Sequence, residues 1–455
     1  MVLRLIARQR SAVVWAHLRS RHWWDTIVPD FRRSLVMSRT PPIVSVLPTR
    51  GLVDEKFKVL VENLPPGRPV TVRSLHRSED DHYWEAFGFY TSDHRGTVNV
   101  SKDQSVGGTY TGKEPMGLLW SMCPVPGSRK GFRLRKSDVC SPMLVNISVH
   151  SGHEGFRDQA PLASVLIERW YMAPGVKRID VRERGLKGTL FLPPGPGPFP
   201  GILDLWGGGG GLVEYRSALL ASHGFATMSL DYLSCGQPVF TYAETAFNFI
   251  KDHPQVVADR VGIVALCIGS LPALYLATDS TVVKPCCTVC ISCFAIYPSD
   301  RVVAGSFEEL TSISGNVPVD ENNHEMWKYV GLEIMSGSPK KANTGKLTTP
   351  LLLVTGCDDQ NAPSVEMAED ITQTMRAAGN DHLLSRLDYP DTGHLIEPPF
   401  SPHFRSTKFV TADKRKVMIL WGGQTKPHSD AQEDSWKKIL SFLQQHLCSS
   451  LNAKL

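Results

Sequence analysis

Apolar and polar positions change rhythm once along this chain. From about Pro41 to Gly175 they alternate in short stretches broken by Gly and Pro, clearest in "FKVLVENL", "VTVRSLH", "YWEAFGFY", "GTVNV" and "MLVNISVH". A period of two puts successive side chains on opposite faces of a strand. Evenly spaced short strands with turn signals between them predict an antiparallel β-sandwich over residues 40–175. From about Arg178 the stretches become continuously apolar and alternate with helical periods. "GLKGTLFLP" predicts a hairpin. Strands at "GILDLW", "FATMSLDY", "VGIVALC", "PLLLVTG" and "LLSRLDYP" alternate with helices at "VEYRSALLASHG", "AETAFNFIKDH", "LPALYLAT" and "VEMAEDITQTMRAAG", and "SWKKILSFLQQHL" closes the series. Such alternation predicts βαβ units and a mostly parallel sheet covered on both faces, the α/β class, over residues 176–448. Residues 301–348 are polar and are expected to form a cap or an excursion over the site.

In sheets of this kind reactive groups collect at the carboxyl ends of strands, and three such ends carry them here. In "VGIVALCIGSLPAL" a buried strand ends at Leu266, Cys267 follows, Gly269 lies two residues on, and a helix begins. This is the strand–turn–helix setting of the nucleophile elbow, G-x-S-x-G, of α/β-hydrolases, with Ala265 for the first Gly and Cys for Ser. A helix N-terminus behind Cys267 favours its thiolate. The alternative is a buried structural cysteine, a common fate of that residue. "PLLLVTGCDD" runs past Gly356 to Asp359, with Asp358 as a competitor, and "LDYPDTGHL" runs past a strand end to His394. Nucleophile, acid, histidine is the chain order this fold requires. Cys267, Asp359 and His394 are therefore the candidate catalytic residues, with Asp359 fixing the His394 tautomer. The glycine run 207–211 after "GILDLW" is the candidate oxyanion loop. The backbone amides of Gly208, Gly209 and Ile268 are its candidate donors, each such donor typically worth about 3 kcal/mol. A phosphate-loop reading of the run fails because no Lys-Ser or Lys-Thr pair follows.

Charge changes the picture at the ends. The net charge of +4 is concentrated in residues 1–39, which carry eight Arg and no Lys against Asp25 and Asp30, so the rest of the chain is slightly acidic. The body is not a basic nucleic-acid binder. No apolar run approaches the roughly 20 residues that cross a bilayer. Residues 1–24 hold five Arg among Leu, Val, Ile and Trp with no acid, the composition of a mitochondrial presequence. The last three residues, Ala453-Lys454-Leu455, are a variant of the Ser-Lys-Leu peroxisomal signal read by an import receptor. Peroxisome, mitochondrial matrix and cytosol are thus the compartments in view, and initiation at Met37 would reconcile the two signals. Ten cysteines in a long chain with no secretory signal argue for reduced thiols. Cys286, Cys287, Cys290 and Cys293 have metal-like spacing, but "CCTVCISCFAIY" reads as a buried strand, so no metal is expected.

Longer segments carry a resemblance. "LPTRGLVDEKFKV", "GGTYTGKEPMGLLWSM", "DVCSPMLVNISVHSGH", "PGILDLWGGGGGLVEYRSALLASHGFA", "DYPDTGHLIEPPFSP" and "WGGQTKPHSDAQEDSWKKI" resemble the family of type I acyl-CoA thioesterases and bile acid-CoA:amino acid N-acyltransferases over about residues 40–448. The resemblance implies a β-sandwich followed by an α/β-hydrolase domain, acyl-CoA as substrate without a bound cofactor, and a triad at Cys267, Asp359 and His394. It also implies a branch: thioesterases of the family place Ser at the nucleophile and the amino-acid acyltransferases place Cys. Cys267 thus points to an acyl-CoA:amino acid N-acyltransferase using glycine or taurine, with hydrolysis as a side reaction. A thioesterase and a non-catalytic acyl-CoA-binding relative are the competing readings. Ser270, Pro272 and "LSCGQPVF" after Tyr232 depart from the family pattern and leave the acyl and acceptor pockets open.

Overall fold

A computed structural model of the chain describes residues 40–208, 211–297, 317–337, 340–410 and 414–448. The leader with Met37, Gly209, residues 301–316 of the expected cap and the terminal Ala453-Lys454-Leu455 lie outside the described residues.

The N-terminal part contains two facing sheets. One has the order Ile43–Leu47, Lys58–Glu62, Val98–Asn99; the other has the order Arg50–Leu52, Ala163–Trp170, Met143–Ser151, Pro69–Arg77, Tyr83–Thr91, Cys123–Pro124. All pairings are antiparallel except that of Arg50–Leu52 with Ala163–Trp170. Alternation explains the packing. Val44, Val46, Val59 and Val61 from the first sheet share one buried cluster with Val70, Val72, Trp84, Ala86, Val145 and Ile147 from the second. The five stretches predicted as strands all fall on strands. "ASVLIERW", which alternates only loosely, was missed.

The C-terminal part is built on an eight-stranded sheet in the order Lys177–Val181, Gly188–Leu192, Ala226–Leu230, Phe199–Leu205, Val256–Leu266, Thr288–Ile291, Leu351–Gly356, Leu384–Tyr389. The first three strands pair antiparallel and the rest parallel. A parallel strand covered on both faces should be buried along its whole length, and Thr288–Ile291 and Leu351–Gly356 are buried at every position, as are Ala226–Leu230 and the antiparallel Gly188–Leu192. The sheet separates two apolar clusters. Cys290 and Cys293 belong to one and Cys287 to the other, so the cysteine-rich stretch contributes to both. None of the ten cysteines is in a disulfide.

Two elements differ from expectation. The last helix, Thr425–Cys448, begins ten residues before the apolar period that signalled it. Its first turns, "TKPHSDAQED", are polar, and Pro427 is tolerated there because early helical N–H groups have no intrahelical partner. A hairpin of Ser406–Val410 and Lys416–Leu420 was not predicted. Its strands are only five residues long, and charged residues flank the turn.

Beside the strand Phe199–Leu205, Asp204 and Arg216 form an ion pair in which both side chains are at most 2% exposed. The Arg216 Nε donates to Asp204 Oδ1 at 2.8 Å, Ser217 Oγ donates to Oδ2 at 2.7 Å, and the guanidinium lies 4.7 Å from the Trp206 ring. Removing the cation strands a buried carboxylate. Arg216→Met should therefore lower folding stability by about 3–5 kcal/mol, read as a shift of the equilibrium urea transition; an unshifted transition would contradict this account.

Candidate functional site

Strand register brings the sequence candidates to one edge. Leu266 pairs with Ile291, Ile291 with Val354, and Val354 with Leu387, a single row across four parallel strands. Cys267 is the next residue beyond that row, and Asp359 and His394 stand in loops that leave the same edge. Cys267 has φ 55, the left-handed region that a β-carbon disfavours. The turn continues as a short 3-10 segment, Cys267–Gly269, into the helix Ser270–Thr278. Gly269 is required by close approach: a β-carbon there would sit 2.5 Å from the Leu205 carbonyl oxygen and 2.9 Å from that of Trp206. Strain of this kind marks functional turns and persists only where the surroundings over-determine it.

The His394 ring and the Asp359 side chain are each 1% exposed, and Asp359 Oδ2 lies 2.8 Å from His394 Nδ1. A carboxylate only accepts, so Nδ1 carries the proton and Nε2 is the nitrogen left for Cys267, which borders the same cavity. Burial by itself lowers the His394 pKa, but the Asp359 and Cys267 charges outweigh it, and the imidazole is raised to about 10. Asp359 is further held by the N–H groups of Asn361 and Ala362 at 2.8 and 2.9 Å and by the Ser364 hydroxyl. Asp358, the competitor in sequence, points elsewhere: it pairs with Arg405 at 2.8 Å and accepts from the Gly423 N–H at 2.8 Å.

Two cavities meet at Cys267. One, of about 210 Å³, is bounded by Gly207, Gly208, Cys267, His394 and Trp421, and also by Arg133, Arg135 and Lys408. The other, about 40 Å³ and mostly apolar, is walled by Gly208, Ile268, Phe294, Trp327 and Val330. Gly208 and Ile268, two of the candidate oxyanion donors, thus flank Cys267. The helix Trp327–Ser336 supplies part of the apolar wall, so the described part of the expected cap reaches the site.

Other contributors were missed in the sequence. Trp421 stacks on His394 at 5.7 Å and accepts the His394 N–H at its carbonyl. Ser292 Oγ donates to the His394 carbonyl at 2.6 Å. His428, on the unpredicted first turn of the last helix, brackets the His394 loop: its Nδ1 accepts from the Gly393 N–H at 3.1 Å and its Nε2–H donates to the Leu395 carbonyl at 2.8 Å. The signal was "KPHSDAQ", where one histidine sits in an otherwise polar stretch. Among the described residues no cluster of His, Cys, Asp or Glu could hold a metal, and no helix is long and apolar enough to cross a membrane.

A mostly parallel sheet with a strained strand–helix turn at the carboxyl end of a central strand defines an α/β-hydrolase fold behind the antiparallel sheets. Residues 54–183 match the family described as "Acyl-CoA thioester hydrolase/BAAT N-terminal region", and residues 239–449 match "BAAT / Acyl-CoA thioester hydrolase C terminal". The chain belongs to this family of enzymes. It is 36% identical over 426 residues to the peroxisomal succinyl-coenzyme A thioesterase of Mus musculus, covering 90% of this chain and 97% of that one. It is 35% identical over 436 residues to the bile acid-CoA:amino acid N-acyltransferase of Mus musculus, covering 90% and 99%. The mitochondrial acyl-coenzyme A thioesterase 2 of the same organism is 35% identical over 427 residues, covering 90% and 91%.

Both ring nitrogens of His428 are committed to backbone groups, so protonation would set an N–H against the Gly393 N–H. Burial, then the nearby His403 and, last, His394, lowers its pKa to about 3. An unfolded histidine takes a proton near 6.5, so between these values the unfolded chain binds more protons. The stability that neutral His428 confers is full above about pH 6.5 and is lost as pH falls toward 3. Urea unfolding at pH 7.5 and 5.5 should show a drop about 1 kcal/mol larger for the natural chain than for His428→Gln. Equal drops would rule out this linkage.

Proposed function

We propose that this enzyme is an acyl-CoA:amino acid N-acyltransferase that works through an acyl-Cys267 intermediate, with acyl-CoA hydrolysis as a side reaction. The observation that carries the reading is a cysteine at the strained turn, bordering one cavity with His394, which Asp359 holds in one tautomer. In the proposed cycle the Cys267 sulfur attacks the thioester carbonyl, the C–S bond to CoA breaks, and the departing thiolate takes the proton from His394. An amine then attacks the acyl-Cys carbonyl, neutral His394 removes its proton, and the Cys267 thiolate leaves. Gly208, Gly209 and Ile268 would present backbone N–H groups to the oxyanion. Acyl-CoA and acyl-cysteine are both thioesters, so the first transfer is nearly balanced. The second is downhill to an amide of glycine or taurine, or to an acid when water intervenes.

A plain thioesterase is the second reading, and it is favoured by the 36% identity to a thioesterase alongside 35% to an acyltransferase. The deciding measurement is the product of bile acyl-CoA and of long-chain acyl-CoA with and without glycine or taurine. Amide is the expected product; free acid alone at saturating amine would establish the thioesterase instead. Within the same proposal residues 40–175 form the sandwich half and residues 176–448 the catalytic half. Ala453-Lys454-Leu455 engages a peroxisomal import receptor, and the basic leader directs any longer form to mitochondria.

Cys267→Ala should lower turnover by about a thousandfold or more. Cys267→Ser should retain measurable turnover but shift product from amide toward free acid, because an oxyester is the poorer acyl donor to amines. An unchanged amide-to-acid ratio would refute that account of acceptor choice. With His394 raised to about 10, its deprotonation should set an alkaline limb of the rate near that pH. Asp359→Asn removes the largest of the influences that raise it, so the limb should move down toward the ordinary histidine range. A limb that stays in place would dissociate it from His394.

A further inference from the structure

Charge around the larger Cys267 cavity is unevenly matched. Four charged side chains other than His394 line it: Arg133, Arg135, Lys408 and Asp80. Arg133 is neutralised by Glu397, a pair in which both side chains are 8% exposed, and Tyr215 donates to the same Glu397 at 2.6 Å. Asp80 accepts from the Ser78 hydroxyl at 2.5 Å and faces Arg129 at 3.9 Å. Lys408 lies 5.3 Å from the Phe132 ring, with no carboxylate in ion-pair range among the described residues. Arg135 has neither an ion-pair nor a side-chain hydrogen-bond partner among the described residues. Arg135 is an exposed residue, and the Arg133 charge beside it lowers its pKa. Two like charges held together at the edge of a cavity, one of them with no carboxylate in ion-pair range among the described residues, are stabilised by an incoming anion.

The segment is fixed in place rather than merely near. The Lys408 N–H donates to the Gly131 carbonyl at 2.7 Å, which ties the stretch bearing Arg133 and Arg135 to the hairpin strand Ser406–Val410. The other cavity at Cys267 is mostly apolar. The sulfur therefore stands between a small apolar space and a cationic one suited to a charged group.

We propose that Arg135, assisted by Lys408, forms an oxyanion-binding subsite that holds the anionic end of a substrate whose reacting atom lies at Cys267. A planar guanidinium suits carboxylate, sulfonate and phosphate alike, through paired N–H donors. Two sources fit that chemistry: the carboxylate or sulfonate of an amino-acid acceptor, and a phosphate of the CoA carrier. The inference rests on the acyl-transfer reading above and adds the residue that selects for charge.

The test uses the full chain with Arg135→Gln and Arg135→Lys, after matching their thermal midpoints to the natural chain. KM and kcat are measured for four partners: acyl-CoA, the same acyl group on phosphate-free N-acetylcysteamine, glycine or taurine, and the uncharged acceptor glycinamide. Arg135→Gln should raise KM about tenfold for one charged partner with kcat changed far less, and Arg135→Lys should recover part of the loss. A penalty confined to acyl-CoA and absent from the N-acetylcysteamine thioester assigns phosphate. A penalty confined to glycine or taurine and absent from glycinamide assigns the acceptor. No penalty, or one equal for charged and uncharged partners, overturns the subsite. Calorimetric binding of CoA and of taurine to Cys267→Ala, with and without Arg135→Gln, separates the two claims. Binding that weakens about tenfold while the natural chain turns over no acyl-CoA would sustain the subsite and sink the reaction. Turnover with binding indifferent to Arg135 would do the reverse.

Discussion

The geometry of this site depends on one carboxylate held where water cannot reach it. Asp359 is 1% exposed, and an unpaired charge at such depth would protonate or unfold its surroundings. Its oxygens are occupied: two backbone N–H groups, one hydroxyl and the His394 ring converge on it. The first three bonds close the loop between the strand Leu351–Gly356 and the helix Ser364–Ala378, so the group that orients the histidine also shapes the loop. What fixes the local fold and what tunes the imidazole are the same interaction.

Much of this was legible before any coordinates. Parallel strands read as continuous apolar runs, and in a sheet whose members end in register, a reactive residue just past each run must reach a common edge. Hence the order Cys267, Asp359, His394 could be read from the chain alone, and the structure brings those three together. The chain already favours Asp359 over Asp358, and the loop gives the physical reason: Asp359 turns in to His394 while Asp358 pairs with Arg405. The hairpin Ser406–Val410 and Lys416–Leu420 was illegible for a different reason: its strands are short and charged residues flank its turn, so no period declares it. His428 was hidden because nothing local distinguishes a histidine bound to two distant backbone groups from one in solvent.

The contribution of Arg133 and Arg135 was the least visible. They stand in an irregular stretch of the N-terminal part, about 130 residues before Cys267, and no motif links them to it. Only the folded chain sets them across a cavity from the sulfur. That arrangement divides the environment of Cys267 by polarity, with apolar side chains on one side and positive charge on the other.

One consequence concerns how such a chain can be taken apart or recombined. The Gly131 carbonyl is bonded to the Lys408 N–H, and Arg133, Arg135 and Lys408 border the same cavity, so the two halves share one wall of the site. A chimera that joined the front of one relative to the back of another would inherit a wall and a floor shaped for different cargo, unless the stretch near Arg135 and the late hairpin were exchanged as a unit.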